Sequence, residues 1–161
     1  MDATAMTHYI SETFDGVRAV ESSGDTFFTY DPDGDLPEDR WLPFATVVTG
    51  DDHDSVSGLD APEAYRLNIG LTKAAYTSRF GPAPTDRDEH GVLDTGFDHS
   101  ERDRVMPHPY YASQYWICVV NPGANTTDDV ARLLDEAHRF AARKHANRSG
   151  RGVRGRAQDS R

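Results

Sequence analysis

The chain has 161 residues, a net charge of −10 and one cysteine, Cys118, which suits one domain of about 100–150 residues with a tail and excludes an internal disulfide. No apolar run approaches the ~20 residues that cross a bilayer, and no basic region precedes an apolar stretch at the N-terminus, so we expect neither a membrane span nor a signal peptide. A soluble, cytoplasmic protein is therefore expected, with Cys118 as a buried core residue.

The first half of the chain predicts a helix, four strands and a second helix. Met6, Ile10 and Phe14 recur at helical spacing near the N-terminus, whereas later stretches are apolar and β-branched or alternate in polarity, as strands do. Gly24, which adopts positive φ at little cost, marks the turn of a hairpin between the first two strands. In chain order we expect a helix over residues 2–14, strands over 17–22, 26–30, 43–49 and 63–70, and a helix over 72–80.

The strongest secondary-structure signals lie in the last third of the chain. Tyr115–Val120 combines aromatic, β-branched and apolar residues, which predicts a buried strand, and Asn121–Gly123 ends it. Thr126 or Thr127 then begins a helix as its N-cap, with a hydroxyl that accepts a backbone N–H. One stripe of this helix is apolar and is expected to pack on the sheet: Val130, Leu133, Leu134, Ala137 and Ala141.

Charge is distributed unevenly along the chain. Residues 143–161 carry seven basic residues against one acidic residue, a net charge of +6, which leaves −16 for residues 1–142. Residues 147–161 are rich in Gly and Arg and almost free of apolar side chains, so we predict a disordered tail after a single domain over 1–146. The acidic body would repel phosphate backbones, which leaves an RNA-binding arm at the tail as the nucleic-acid alternative.

This order of elements predicts an α+β fold. We expect an antiparallel sheet of about five strands, with the N-terminal and C-terminal helices packed on one face. The other face is expected to be partly open. It would then present the polar side of the fourth strand, Arg66 and Asn68, to a ligand or to solvent.

Several stretches of the chain resemble known families. Over residues 5–146 the chain resembles an uncharacterised actinobacterial family, a domain of unknown function that carries no established functional residue. The segments that carry this resemblance are 23–28, 43–52, 65–70, 108–111 and 115–122. The Trp-containing strand before the last helix also resembles the YjbR-like family, which has a frataxin-like, double-wing fold. That second resemblance implies DNA binding, whereas the acidic body lacks the basic face that such binding needs.

Three acidic segments contain residue types that bind cations in other proteins. Asp31–Asp35 is similar to a calcium loop, but Leu36 and Leu42 occupy the sixth and twelfth positions, where an EF-hand needs Gly and Glu. The segments 51–54 and 98–108 combine carboxylates with histidines. Because each segment supplies few fixed ligands, we predict solvated loops and no metal, and cation binding by loops 31–40 and 51–54 stays open.

The best functional candidate is the segment His108-Pro-Tyr-Tyr111 together with Trp116. Pro109 favours an extended backbone at His108, and aromatic walls with a few polar groups are typical of small-molecule pockets. We therefore predict a ligand site formed by these residues: His108, Tyr110, Tyr111, Trp116 and Arg66. In the alternative, the rings cover the edge of the core, His108 hydrogen-bonds a backbone carbonyl and Arg66 faces solvent.

These features favour a non-catalytic module that binds a small molecule or a protein at the aromatic end of the sheet, without a cofactor. One alternative is a small hydrolase or a metal-dependent enzyme that uses His108 as a general acid or base. The other alternative is nucleic-acid binding through the basic tail. Because no second member of a catalytic dyad stands at an informative spacing, we assign no catalytic residue.

Overall fold

The computed structural model describes the backbone of residues 1–50 and 54–159, and the side chains of residues 1–50 and 54–148. Short 3₁₀ helices cover Glu38–Arg40 and Ala112–Gln114. The helices and strands of the described chain are α1 (Ala3–Thr13), β1 (Val17–Ser22), β2 (Asp25–Tyr30), β3 (Pro43–Thr49), β4 (Tyr65–Gly70), α2 (Lys73–Phe80), β5 (Met106–Pro107), β6 (Trp116–Val120) and α3 (Thr127–Asp159).

The strands form one antiparallel sheet in the order β1-β2-β3-β4-β6-β5. The predicted α+β fold is confirmed, and the five predicted strands lie within two residues of their observed bounds. The sixth strand, β5, is Met106–Pro107, which pairs only with β6 at the edge of the sheet. Two residues are too few for any alternation of polarity to reveal a strand, so the sequence does not predict it.

Helices α1 and α3 pack on one face of the sheet, as predicted. The apolar stripe of α3 is confirmed, because four of its five residues are buried and Ala141 packs at the edge of the same hydrophobic core. The sheet side of this core contains alternate strand residues such as Leu67, Ile69 and Ile117. The apolar faces of the strands and helices therefore pack together in one hydrophobic core. Burial of this core stabilises the domain.

The chain entering α3 is held by a carboxylate from a distant loop. Asp103 accepts the backbone N–H of Gly123 at 2.7 Å and that of Asn125 at 3.0 Å. The Thr126 hydroxyl donates to the same carboxylate at 2.6 Å, and the Thr127 hydroxyl donates to the carbonyl of Gly123 at 2.6 Å. Neither hydroxyl accepts a backbone N–H from the described residues, so the predicted cap bond of Thr126 or Thr127 is not formed. A carboxylate is the stronger acceptor, and here it lies 20 residues before the first of the groups that it binds.

Helix α3 continues to Asp159. The side chains of residues 149–161 lie outside the described residues, so the domain boundary at 146 and the disordered tail over 147–161 stay predictions. None of the described helices has an apolar stretch long enough to cross a bilayer.

The face of the sheet opposite the helices is only partly covered. Leu59 and Phe97, from two loops, belong to a second hydrophobic cluster with Cys118 and Val120 of β6. Cys118 is buried, as predicted, and burial raises the pKa of its thiol to about 12. A concave surface remains on this face beside the covered part, and it contains the candidate site.

Candidate ligand-binding site

A cavity of about 710 Å³ lies on the face of the sheet opposite the helices. We call it the open-face cavity. It brings together all the residues that the sequence predicts for a ligand site: His108, Tyr110, Tyr111, Trp116 and Arg66. Their shared position is observed, while their role in binding a ligand stays a prediction.

Strand alternation aims the polar side chains of the central strands into the open-face cavity. On β4, Leu67 and Ile69 face the helices, so Arg66 and Asn68 face the cavity. The register pairs Thr46 of β3 with Asn68. Arg66 is nonetheless only 3% exposed, so the alternative in which it simply faces solvent is wrong.

Arg66 is the centre of a buried hydrogen-bond network. Its Nη1 and Nη2 donate to the two carboxylate oxygens of Asp54, at 3.1 Å each, and Nη1 also donates to Ser57 Oγ at 2.9 Å. Its Nε donates to Asn68 Oδ1 at 3.0 Å, and Asn68 Nδ2 donates to Thr46 Oγ1 at 2.9 Å. Because a guanidinium has five N–H donors, these bonds leave one N–H of Arg66 without a partner among the described residues.

His108 also lines the open-face cavity and has a defined tautomer. Its Nδ1 accepts the backbone N–H groups of Tyr110 and Tyr111, at 3.0 and 3.1 Å. Since Nδ1 supplies a lone pair to both, the neutral ring carries its proton on Nε2. Burial lowers the pKa of His108 well below its ordinary value, and Arg66 lowers it further. His108 therefore orders the loop by accepting two backbone N–H groups, whereas the alternative interpretation had it bonded to a backbone carbonyl. Its neutral ring remains a donor at Nε2.

Tyr110, Tyr111 and Trp116 form the aromatic wall of the cavity. The centroid of the Tyr111 ring lies 5.0 Å from that of the His108 ring, and Tyr111 is 53% exposed. The Trp116 indole lies against Gly70, where a Cβ atom would come within 2.9 Å of two ring carbons. A larger residue at position 70 would displace the indole, so Gly70 determines where Trp116 lies.

Asp54 and Arg87 are among the residues of the open-face cavity that the sequence does not predict as members of the site. Asp54, which belongs to a predicted acidic loop, instead neutralises Arg66 across 12 residues of sequence. Arg87, from the long loop before β5, donates to the carbonyl of Tyr110 at 3.1 Å across 23 residues. No local pattern signals either contact, because each depends on how a loop returns to the sheet.

The acidic segments have partners within the protein. Asp31 pairs with Arg18 at 3.0 Å, and His99 Nε2 lies 2.8 Å from Thr95 Oγ1. Residues 51–53 lie outside the described residues. In the part of the chain that the structure describes, no group of three or more His, Cys, Asp or Glu residues is arranged to hold a metal ion. Cation binding that involves the segment 51–54 therefore stays open.

Comparison with known proteins places the chain in a family. Residues 1–150 match DUF6194, a family of unknown function. The chain belongs to this family. No curated protein and no solved structure matches it. The resemblance to a domain of unknown function is therefore confirmed, while the actinobacterial origin and the YjbR-like resemblance stay predictions.

Replacing His108 by Ala in this DUF6194 domain is expected to lower the free energy of unfolding by about 1–3 kcal/mol. The reason is that the backbone N–H groups of Tyr110 and Tyr111 lose their acceptor. Urea denaturation measures the loss. His108→Asn is the matched control, because an amide oxygen can take the place of Nδ1, and it should retain more of the stability. Equal losses for the two variants would contradict the role of Nδ1.

Lowering the pH below the ordinary histidine pKa of 6.5 is expected to destabilise the domain through His108. The unfolded chain takes up a proton there, whereas burial lowers the pKa of the folded His108 and keeps its ring neutral. This contribution to stability is complete above pH 6.5 and falls by about 1.4 kcal/mol per pH unit below it. Burial also lowers the pKa of His99, so His99 contributes a further loss of stability as the pH falls.

Urea denaturation at a series of pH values between about 7.5 and 5.5 measures this slope. His108→Asn should make the slope shallower, because the variant has no ring to protonate at this position. A slope that is unchanged in the variant would assign the pH dependence to other groups and contradict the expectation.

Proposed function

We propose that this DUF6194 domain is a non-catalytic binding module for a small, planar, uncharged molecule that is rich in hydrogen-bond acceptors. The observation that carries the proposal is the open-face cavity, where the polar side chains of β4 and the aromatic wall line one concave surface. Aromatic walls with a few fixed polar groups are typical of small-molecule sites.

Several residues that line the open-face cavity have unused donors. Nε2 of His108, the indole N–H of Trp116 and one N–H of Arg66 have no hydrogen-bond partner among the described residues. The oxygens of Asp54 and Asn68 already accept from Arg66. Carbonyl oxygens or ring nitrogens of a ligand would satisfy donors that are costly to leave unpaired in a dry site.

Shape and charge narrow the class of ligand further. The aromatic wall offers ring faces on which a planar molecule can stack. Among the described lining residues, the carboxylates of Asp25 and Asp54 balance the guanidinium groups of Arg66 and Arg87. The described lining of the open-face cavity therefore carries no net charge that would select an ion, which favours an uncharged ligand.

An enzyme that uses His108 is the weaker alternative. General acid–base catalysis works best when the pKa of the catalytic group lies near the working pH, and burial lowers the pKa of His108 well below 6.5. Its Nδ1 contacts backbone N–H groups in place of an orienting carboxylate. The carboxylate of Asp54 is occupied by Arg66.

Nucleic-acid binding is the other alternative, either through the tail or as the YjbR-like resemblance implies. The charge of −16 on residues 1–142 opposes any polyanion. The basic residues of the tail favour such a partner, and their side chains beyond residue 148 lie outside the described part of the chain. A cytoplasmic location stays an expectation from the sequence.

Tryptophan fluorescence tests the proposed binding. The chain has two tryptophans, so Trp41→Phe leaves Trp116 of the aromatic wall as the only one. We expect planar oxo-heterocycles, with uracil and hypoxanthine as the first probes, to change the emission of Trp116 saturably. The same probes should raise the melting temperature, because a ligand that binds only the folded state stabilises it.

A matched pair of variants makes this test specific. Tyr111→Ala removes part of the aromatic wall and should weaken binding about two- to tenfold. Leu42→Ala removes a side chain that is 57% exposed and outside the open-face cavity, so it should leave the affinity unchanged. Equal effects of the two variants, or no saturable response to the probes, would contradict the proposal.

A further inference from the structure

A second cavity, of about 570 Å³, lies on the helix side of the sheet, at the ends of β2, β3 and β4. Three segments contribute to its lining: the 3₁₀ helix before β3, the start of α2 and the later turns of α3. Trp116 lines both cavities, but the residues that give the second one its character are different.

The described lining of this second cavity carries four cations and no carboxylate. The cations are Arg40, Lys73, Lys144 and Arg148. We call it the cationic cavity. The whole chain has 27 acidic residues and a net charge of −10. A concave surface whose described charged side chains are all positive is therefore unusual in this molecule.

Arginines elsewhere in the chain are commonly neutralised by carboxylates. Six arginines outside the cationic cavity form ion pairs with Asp or Glu: Arg18, Arg66, Arg79, Arg104, Arg132 and Arg139. Among the described residues, no carboxylate lies within 4.0 Å of the charged nitrogens of the four cavity cations. A bound anion could neutralise these four cations, as carboxylates of the protein neutralise the six arginines.

Two basic side chains of the cationic cavity are positioned by aromatic rings. Lys144 Nζ lies 4.2 Å from the centroid of the Phe140 ring, and the His145 ring packs edge-on against Tyr30 with centroids 5.4 Å apart. Partial burial lowers the pKa of Lys144, and the charge of Arg148 lowers it further. Like charges therefore crowd here, and a bound anion would relieve their repulsion.

Apolar side chains make up much of the remaining lining of the cationic cavity. Its wall contains side chains from three segments, namely Leu36, Leu42, Phe44, Leu71 and Phe140. We propose that the cationic cavity binds a small organic phosphate, with the phosphate at the four cations and its apolar group on this wall. The 57% exposure of Leu42 fits such an occupant, which would cover it. This proposal involves a different cavity and does not depend on the proposed function.

Charge favours a small anion over a polyanion in the cationic cavity. Guanidinium and ammonium groups from several segments suit the several oxygens of one phosphate. A nucleic acid or an anionic membrane would extend past the cavity onto a body that carries −16, and this body would repel it. A single phosphate monoester is small enough that its charge interacts only with the cations of the cavity.

Isothermal titration calorimetry of the full chain with phenyl phosphate tests the proposal. Phenyl phosphate should bind more tightly than inorganic phosphate, which lacks the apolar group, and than phenol, which lacks the charge. Lys144→Gln and Arg148→Gln should each weaken the binding of phenyl phosphate about two- to fivefold. Leu42→Ala should weaken the binding of phenyl phosphate and leave that of inorganic phosphate unchanged.

Arg143→Gln is the matched control, because it removes one positive charge from the same helix outside the cavity lining. It should leave the affinity for phenyl phosphate close to that of the unmodified chain. No binding of phenyl phosphate, or equal weakening by Arg143→Gln, would overturn the proposal. Tighter binding of a single-stranded RNA oligonucleotide, lost in the same lysine and arginine variants, would also overturn it and indicate a nucleic-acid contact.

Discussion

Replacing Arg66 by Met is expected to lower the free energy of unfolding by about 3–5 kcal/mol. Arg66 is 3% exposed, and it donates four hydrogen bonds to Asp54, Ser57 and Asn68. Met fills much of the same space but leaves the Asp54 carboxylate, whose side chain is 8% exposed, without its counter-charge. An unpaired buried charge costs more than the lost attraction itself. Urea denaturation measures the loss.

A double-mutant cycle separates the unpaired charge from the lost packing. Removing both charges, in Arg66→Met with Asp54→Leu, should restore much of the stability that Arg66→Met alone removes. The surface control is Arg104→Met, whose ion pair with Glu101 is about half exposed, and it should cost less than about 1 kcal/mol. Similar losses for Arg66→Met and Arg104→Met would contradict the buried role of Arg66.

Leu134→Ala is expected to cost about 2–5 kcal/mol of stability. Leu134 is 0% exposed and lies in the core between α3 and the sheet, so its removal takes away buried apolar surface and leaves a cavity. Leu42→Ala makes the same chemical change at an exposed position and should stay within about 0.5 kcal/mol of the unmodified chain. Thermal and urea denaturation compare the two, and equal losses would mean that the stripe of α3 does not carry the core.

The positions of the helices and of most strands follow from local sequence patterns. Helical spacing placed the stripe that includes Leu134, and apolar runs and alternation placed five of the six strands, because both periods are properties of neighbouring residues. Four of the five predicted site residues also came from a local pattern, the aromatic segment that begins at His108. Strand alternation gave the direction of Arg66, since every second side chain of a strand faces the same side.

The contacts of these side chains depend on how distant parts of the chain come together in the fold. Asp54 pairs with Arg66, Arg87 reaches the carbonyl of Tyr110, and Asp103 holds the start of α3, across 12, 23 and 20 or more residues of sequence respectively. The burial of Arg66 and His108 likewise depends on residues that are distant in sequence. A long-range hydrogen bond or a buried charge depends on where a loop packs against the rest of the fold. The polarity pattern around one residue does not indicate the position of a partner that lies many residues away in the sequence.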